Sequence, residues 1–211
     1  MKETPNVSKK PSSLRYYQEG VPQISADDWT LTIRRIDGHE VQLTYQDLLN
    51  LPQVYQHRRM VCVCLWSIKR HWDGVLLRDV LAQAGIDLGN ADYYLKQESH
   101  GAEGGTYDCT IHLLSAIERD ALLVHSVDGA ALPAEQGYPL RLMDFGLYGY
   151  KCVKAVSLLE VTHENRLGYW EDYAGYALDG TIQPKRYYAV DQRQHFFFDG
   201  EGEVHDGDIE E

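Results

Sequence analysis

The spacing of apolar residues predicts the first elements of the chain. Residues 29–33 alternate apolar and polar side chains and run into an Asp-Gly turn, which is typical of a half-buried strand. Residues 43–52 predict a short helix, with Thr44 as its N-cap and Pro52 as its stop. A strand followed by a short helix therefore opens the folded part of the chain.

A second apolar run lies across residues 59–66. It contains β-branched residues and has no polar alternation, which predicts a buried strand. Residues 75–86 then carry apolar side chains at helical spacing, and Gly85 fits the C-terminal stop of that helix. This part of the chain is therefore expected to bury both a strand and a helix.

The second half of the chain reads mostly as strands. Strands are predicted at 92–99, 106–113, 121–129, 138–145 and 153–163, with a short helix near 113–121 and an aromatic, irregular segment at 168–190. Without repeats or a clear linker, the mixture predicts an α+β fold with largely antiparallel sheets. We expect one domain over 15–198, a flexible N-terminal arm at 1–14 and an acidic C-terminal tail at 199–211.

Composition changes this picture in a few ways. With 211 residues and 44% hydrophobic content, the chain can bury one sizeable core. The net charge of −12 disfavours nucleic acid and anionic membranes as partners, and seven of the acidic residues fall in 199–211, which predicts a solvated tail rather than a site. No transmembrane segment and no leader peptide are recognisable. We therefore expect a cytoplasmic monomer, or a periplasmic protein if a leader has been removed.

Four cysteines are too few for a disulfide framework and lack the spacing of a zinc ribbon. Cys62 and Cys64 stand one residue apart in the apolar run of 59–66. Three interpretations compete for them: core packing, a redox or zinc pair, and a single thiolate ligand to a soft metal. If the strand continues through both residues, the two thiols face the same side.

Several motifs then occur in a fixed order. They are YYQEGVPQISADDWTLTI, CVCLWS followed by WDGVLLRDVLAQAGI, LPAEQGYPLRLMDFGLYGYKCVKAVSLLE, and GYWEDYAGY. In this order, across roughly residues 16–176, the chain resembles the molybdopterin-binding domain of the sulfite oxidase family. It is most similar to small bacterial members that carry that domain alone, such as the catalytic subunit of the molybdenum-dependent methionine sulfoxide reductase.

The resemblance implies a sulfite-oxidase-type fold and a cofactor with a single pterin (molybdenum-molybdopterin). In the family, molybdenum is held by the dithiolene of that pterin and by one cysteine thiolate. Cys62 falls on the metal-ligand position, whereas Cys64 replaces the usual Glu. A soft thiolate suits a metal that is already bound by sulfur.

The resemblance also implies how the pterin is bound. Arg141 would grip its phosphate bidentately, Lys154 would add a point charge, and backbone amides of the 152–154 turn would form a nest. The positions implied to contact the cofactor are Cys62, Ser99, Gln136, Arg141, Cys152, Val153, Lys154, Tyr16 and Tyr17.

One departure from the family bears on the substrate. Sulfite oxidases carry an Arg and a His near their start, where this chain has Gln18 and Gly20. Basic residues for an anionic substrate are therefore missing there. The interpretation is an oxidoreductase that transfers an oxygen atom to or from a small S- or N-oxide-type substrate, with a cytochrome or quinone-linked electron partner by analogy.

Two alternatives stay open at this point. One is a non-catalytic molybdopterin-binding protein, and the other is a cysteine-based redox or zinc protein using Cys62, Cys64, Cys109 and Cys152. Two sets of residues also have open roles, and aromatic residues at this density are more often structural. A basic set near the cysteines would form a pocket mouth or a solvated surface: His57, Arg58, Arg59, Lys69, Arg70 and His71. An aromatic set would line a substrate cavity or be structural: Tyr148, Tyr150, Tyr169, Trp170 and Tyr173.

Overall fold

A computed structural model describes residues 21–100 and 106–209, except for the side chain of His100. The strands are β1 Thr30–Arg34, β2 Glu40–Thr44, β3 Gln53–Cys62, β4 Trp66–Leu76, β5 Tyr94–His100, β6 Thr106–His112, β7 Leu122–Val127, β8 Ala130–Ala131, β9 Arg141–Met143, β10 Leu158–Thr162, β11 Lys185–Ala189 and β12 Gln194–Phe198. The helices are α1 Tyr45–Leu49, α2 Leu77–Gln83, α3 Leu113–Glu118 and α4 Tyr169–Ala174, and 3₁₀ turns lie at Ala134–Gln136, Gly149–Lys151 and Asp206–Asp208. The predicted arm, 1–14, lies outside the described residues.

The strands form two sheets. The first has five strands in the order β2-β1-β10-β5-β6, and the second has seven, ordered β12-β11-β4-β7-β8 with β3 added to β4 and β9 to β7. Only the β1/β10 and β11/β4 pairs are parallel among these described strands. The α+β prediction with largely antiparallel sheets is confirmed.

Local sequence explains the early elements as predicted. Thr44 caps α1: its hydroxyl accepts the amide of Asp47, and the Asp47 carboxylate accepts the amide of Thr44 in return. Gly85 follows α2 with a φ of +63°, a left-handed conformation that glycine adopts without strain. The helix is shorter than predicted because residues 75 and 76 still belong to β4.

Two strands are shorter than predicted, one at its end and the other at its start. β3 stops at Cys62, and residues 63–65 turn the chain into β4, with Leu65 at a φ of +65°. Cys62 and Cys64 therefore do not share one face of a continuous strand. Residues 153–157 also leave the predicted strand of 153–163, because Ala155 has a φ of +48° and its amide bonds the carbonyl of Gly137.

The end of the chain differs most from the prediction. Residues 185–198 form the β11/β12 hairpin, which joins the edge of β4 beside the cysteine turn. The tail was expected to be solvated, but Val204 and Ile209 are buried in the same apolar cluster as Tyr187. Glu203 pairs with Arg58 of β3. Over residues 199–209 the tail is thus packed onto the β3/β4 hairpin.

Among the residues that the structure describes, every helix is too short to cross a membrane.

Candidate active site

The β3/β4 hairpin positions the cysteine of the predicted metal site. The two strands pair over their whole length, from Gln53↔Val75 to Cys62↔Trp66, so Cys62 is the last residue of a rigid ribbon. The tight turn is closed by the amide of Leu65, which donates to the Cys62 carbonyl at 3.0 Å. Cys62 is half-buried, whereas Cys64 is exposed.

The two thiols interact electrostatically. The Cys64 amide donates to Cys62 Sγ at 3.5 Å. The side-chain hydrogen bond between the thiols, followed by burial, raises the pKa of Cys62 well above its ordinary value, and the same bond lowers the pKa of Cys64 to about 7. The charge of Lys154 opposes the rise at Cys62.

Three residues of the predicted pterin-binding set lie close together around Gly137. Arg141 is 1% exposed, and its Nη1 donates to the Gln136 carbonyl at 3.0 Å. Gly137, at a φ of +109°, packs directly on Lys154, since a Cβ there would meet Lys154 Cβ at 2.9 Å. Arg141, Gln136 and Lys154 thus lie near one another at Gly137.

The amides of the 152–154 turn are only partly available. The amide of Cys152 donates to the Gly149 carbonyl at 3.2 Å, and that of Val153 donates to the side chain of Gln97 at 3.1 Å. Both amides are satisfied within the protein, so the expected nest does not include them, and a contact of either residue with the cofactor stays a prediction. The Cys152 thiol points into the core beside Asp144, where burial raises its pKa to about 11.

Ser99 on β5 supplies a further polar group. Its side chain is 0% exposed, and its hydroxyl has no hydrogen-bond partner among residues 21–100 and 106–209. Gln97 lies two residues earlier on the same face, and it bonds the 151–153 backbone. Buried hydroxyls are almost always paired, so this hydroxyl is available to hydrogen-bond a water molecule or a ligand atom.

The basic residues around the cysteines do not form an open cationic mouth. Arg59 is 1% exposed and binds Asp191 bidentately at 2.7 and 2.8 Å. The remaining pairs are Arg58–Glu203, Lys69–Asp206 and Arg70–Asp128. His57 and His71 stack on each other across the strands, with ring centroids 3.9 Å apart. The ribbon is therefore largely neutralised by carboxylates.

The predicted aromatic set forms one connected cluster, described by ring-centroid distances. Tyr148 stacks on Tyr150 at 6.2 Å, Tyr150 contacts Tyr176 at 4.9 Å, and Tyr176 stacks on Trp170 at 6.0 Å. Trp170 then reaches Tyr173 at 6.2 Å. Tyr148 and Tyr150 are buried. These two residues are structural, and through Tyr176 they pack the segment before the 152–154 turn against Trp170 of α4.

Tyr16 and Tyr17, the remaining predicted pterin contacts, lie outside the described residues. Residues that the sequence reasoning missed include Gln97, Lys151 and Glu171. Lys151 and Glu171 form an ion pair in which both side chains are 0% exposed. Gln97 had no visible signal, because it is an ordinary polar residue in a strand pattern.

The cysteines do not form a joint metal centre. Cys109 and Cys152 are buried in separate apolar clusters, and all four cysteines are free. Within the described part of the chain, no group of three or more His, Cys, Asp or Glu side chains is arranged to hold a metal ion. The zinc alternative therefore lacks a ligand set among these residues.

Comparison with known proteins decides the family. The sequence profile of the oxidoreductase molybdopterin binding domain matches residues 18–170. The chain belongs to this family. Its half-buried thiol, convergent Arg and Lys, and orphan hydroxyl fit a molybdenum held by one pterin, because each donor matches a part of that group.

Individual relatives are similar over much of this chain. A protein from Azospira oryzae named as protein-methionine-sulfoxide reductase subunit YedZ1 is 32% identical over 163 residues, which is 77% of this chain and 60% of that protein. The uncharacterized oxidoreductase YuiH of Bacillus subtilis is 29% identical over 68% of this chain and 70% of its own length. Mitochondrial sulfite oxidase of Homo sapiens is 27% identical over 74% of this chain, which is 34% of that protein.

A solved structure shows the same fold. The sulfane dehydrogenase SoxCD from Paracoccus pantotrophus superposes with a TM-score of 0.63 and 19% identity, covering 87% of this chain and 48% of that chain. The predicted sulfite-oxidase-type fold of this family is confirmed. The chain nevertheless spans well under two thirds of the length of sulfite oxidase and of SoxCD, and 60% of YedZ1.

Proposed function

We propose that this chain is a molybdopterin-dependent oxidoreductase in which Cys62 is the protein ligand to molybdenum. When bound, the cofactor would supply two-electron redox chemistry and would exchange an oxygen atom with the substrate, taking it up when an oxide is reduced. The protein would contribute the Cys62 thiolate, the phosphate grip of Arg141 and Lys154, and polar contacts from Gln136 and Ser99.

The observation that carries this proposal is the convergence around Lys154. Gly137 packs on Lys154, and the carbonyl of the preceding residue holds the buried guanidinium of Arg141. Two cations held by one loop suit the phosphate end of the pterin, and Cys62 at the end of β3 would bind the metal at its sulfur end.

The proposed substrate is a small, neutral S- or N-oxide. The carboxylates paired with Arg58, Arg59, Lys69 and Arg70 remove most of the positive charge beside Cys62. An anion such as sulfite would find little attraction on that side, whereas a neutral oxide needs none. The name of the YedZ1 relative supports a sulfoxide in particular.

The electron partner is proposed to be a cytochrome or a quinone-linked membrane subunit. YedZ1 is named as a subunit of a reductase, so that relative works with another chain. A two-electron reaction at a buried metal also needs a redox partner to restore the starting state.

The test is elemental and pterin analysis of the purified full chain, beside Cys62→Ser. We expect molybdenum and pterin in the wild type, loss of dye-coupled reductase activity in the variant, and a changed metal spectrum at an unchanged thermal midpoint. Cys64→Ser is the matched control, since it removes an exposed thiol two residues away. Zinc without molybdenum in the wild type would reject the proposal, and metal without turnover would favour a non-catalytic binding protein.

A further inference from the structure

Gln97 bridges the backbone of Lys151 and Val153, next to Lys154. Its side chain is 0% exposed; Nε2 donates to the carbonyl of Lys151 at 3.0 Å, and Oε1 accepts the amide of Val153 at 3.1 Å. A side-chain amide carries one donor group and one acceptor, so it can bond the backbone of residues 151–153 as the backbone of a paired strand would. Both polar ends of Gln97 are used in this way.

The 152–154 turn is also fixed from its other side. The amide of Ala155 donates to the Gly137 carbonyl at 3.1 Å, and the amide of Leu142 donates to the Val153 carbonyl at 3.0 Å. Gly137 also limits the space beside Lys154. With Gln97 on one side and Gly137 on the other, the turn has little freedom to move the base of the Lys154 side chain.

We propose that Gln97 is a positioning residue that sets the 151–153 backbone, so that Lys154 presents its ammonium group to the phosphate of the pterin. This inference rests on the proposed function. Gln97 acts through Lys154 and does not itself contact the phosphate.

Gln97→Leu removes both hydrogen bonds at similar volume and leaves the buried Val153 amide unsatisfied. The matched control is Gln53→Leu. Gln53 Nε2 likewise donates to backbone carbonyls, those of Leu48 and Leu51, both at 2.9 Å, but it does so at the exposed start of β3. The two variants each delete a glutamine bridge, and only one of these bridges lies at the proposed site.

The measurement is the rate at which the purified full chain releases its own pterin, followed as the fluorescent oxidation product at a temperature well below unfolding. We expect Gln97→Leu to release pterin about tenfold faster than wild type, since an unsatisfied buried amide costs enough to change an equilibrium by that factor. Gln53→Leu should release it at the wild-type rate, even if its thermal midpoint falls.

Lys154→Ala separates positioning from a general structural role. If Gln97 acts through Lys154, then Lys154→Ala speeds release in the wild type but adds little in the Gln97→Leu background. Fully multiplicative effects of the two substitutions on the release rate would overturn the inference, as would a wild-type rate for Gln97→Leu. Absence of pterin from the wild-type protein would overturn the proposed function and this inference together, so the two failures are distinguishable.

Discussion

The ion pair between Lys151 and Glu171 leads to a strong stability prediction. Both side chains are 0% exposed, and Lys151 Nζ also donates to the Thr110 carbonyl at 2.9 Å. Removing one partner of a buried pair leaves the other charge without compensation, which costs about 3–5 kcal/mol. For a chain of this size each kcal/mol lowers the melting temperature by about 2–4 °C, so Lys151→Met or Glu171→Leu should lower it by about 6–20 °C.

The double variant distinguishes this reasoning from a simple loss of packing. With both charges replaced by apolar groups of similar volume, no buried charge is left unpaired, so Lys151→Met/Glu171→Leu should be more stable than either single variant. The assays are thermal unfolding, which gives the melting temperature, and urea unfolding, which gives the free energy of unfolding, on pterin-free protein of all four chains. A double variant whose destabilisation equals the sum of the two single effects would refute the argument.

Two further predictions follow from the surroundings of the site. Gly137→Ala should destabilise the protein by about 1–3 kcal/mol and reduce its pterin content, because an alanine is strained at a φ of +109° and its Cβ meets Lys154 at 2.9 Å. Gly129→Ala, at a φ of +78° with nothing within 4 Å, is the control for backbone strain alone. Equal loss of pterin in both variants would contradict the steric account. Burial raises the pKa of Asp191, but the hydrogen bond and charge of Arg59 outweigh burial and lower that pKa below its ordinary value. The ion pair therefore stabilises the protein above the ordinary carboxyl pKa, and this stabilisation is lost as the pH falls through the folded-state pKa. In urea unfolding, Asp191→Asn should be less stable than wild type by about 1–3 kcal/mol at pH 7 and indistinguishable from it in strong acid, whereas an equal difference at both pH values would show that the charge is not involved.

The proposed ligand residues were accessible from the sequence because they belong to motifs. Cys62, Arg141 and Lys154 each have a fixed spacing to neighbouring motif residues, and the structure brings Arg141 and Lys154 to the loop that contains Gln136 and Gly137. The function of Gln97 was not accessible in the same way. Its role depends on how one sheet faces a turn more than 50 residues later, and strand periodicity in the sequence carries no such information.

Local patterns also explain which elements were misjudged. The turn after Cys62 consists of Val63, Cys64 and Leu65, none of which is typical of a turn, so an apolar run was read as one strand. The β11/β12 hairpin did carry a signal, since Phe196 and Phe198 are buried on one face while Phe197 is exposed. The surrounding density of aromatic residues hid this alternation.

Charge was a poor guide to the end of the chain. The tail of 199–211 is strongly acidic, yet Val204 and Ile209 are buried and Glu203 pairs with a basic residue of β3. Acidic residues there neutralise the basic ribbon that leads to Cys62. Net charge describes solubility and long-range partners, and it does not show which side chains meet in the folded protein.

The central claim is that the Cys62 sulfur is bonded to molybdenum. X-ray absorption at the molybdenum edge counts the sulfur atoms around the metal directly. We predict that Cys62→Ser loses one sulfur neighbour relative to wild type, while Cys64→Ser keeps the wild-type count. An unchanged sulfur count in Cys62→Ser, with molybdenum still bound, would contradict the account.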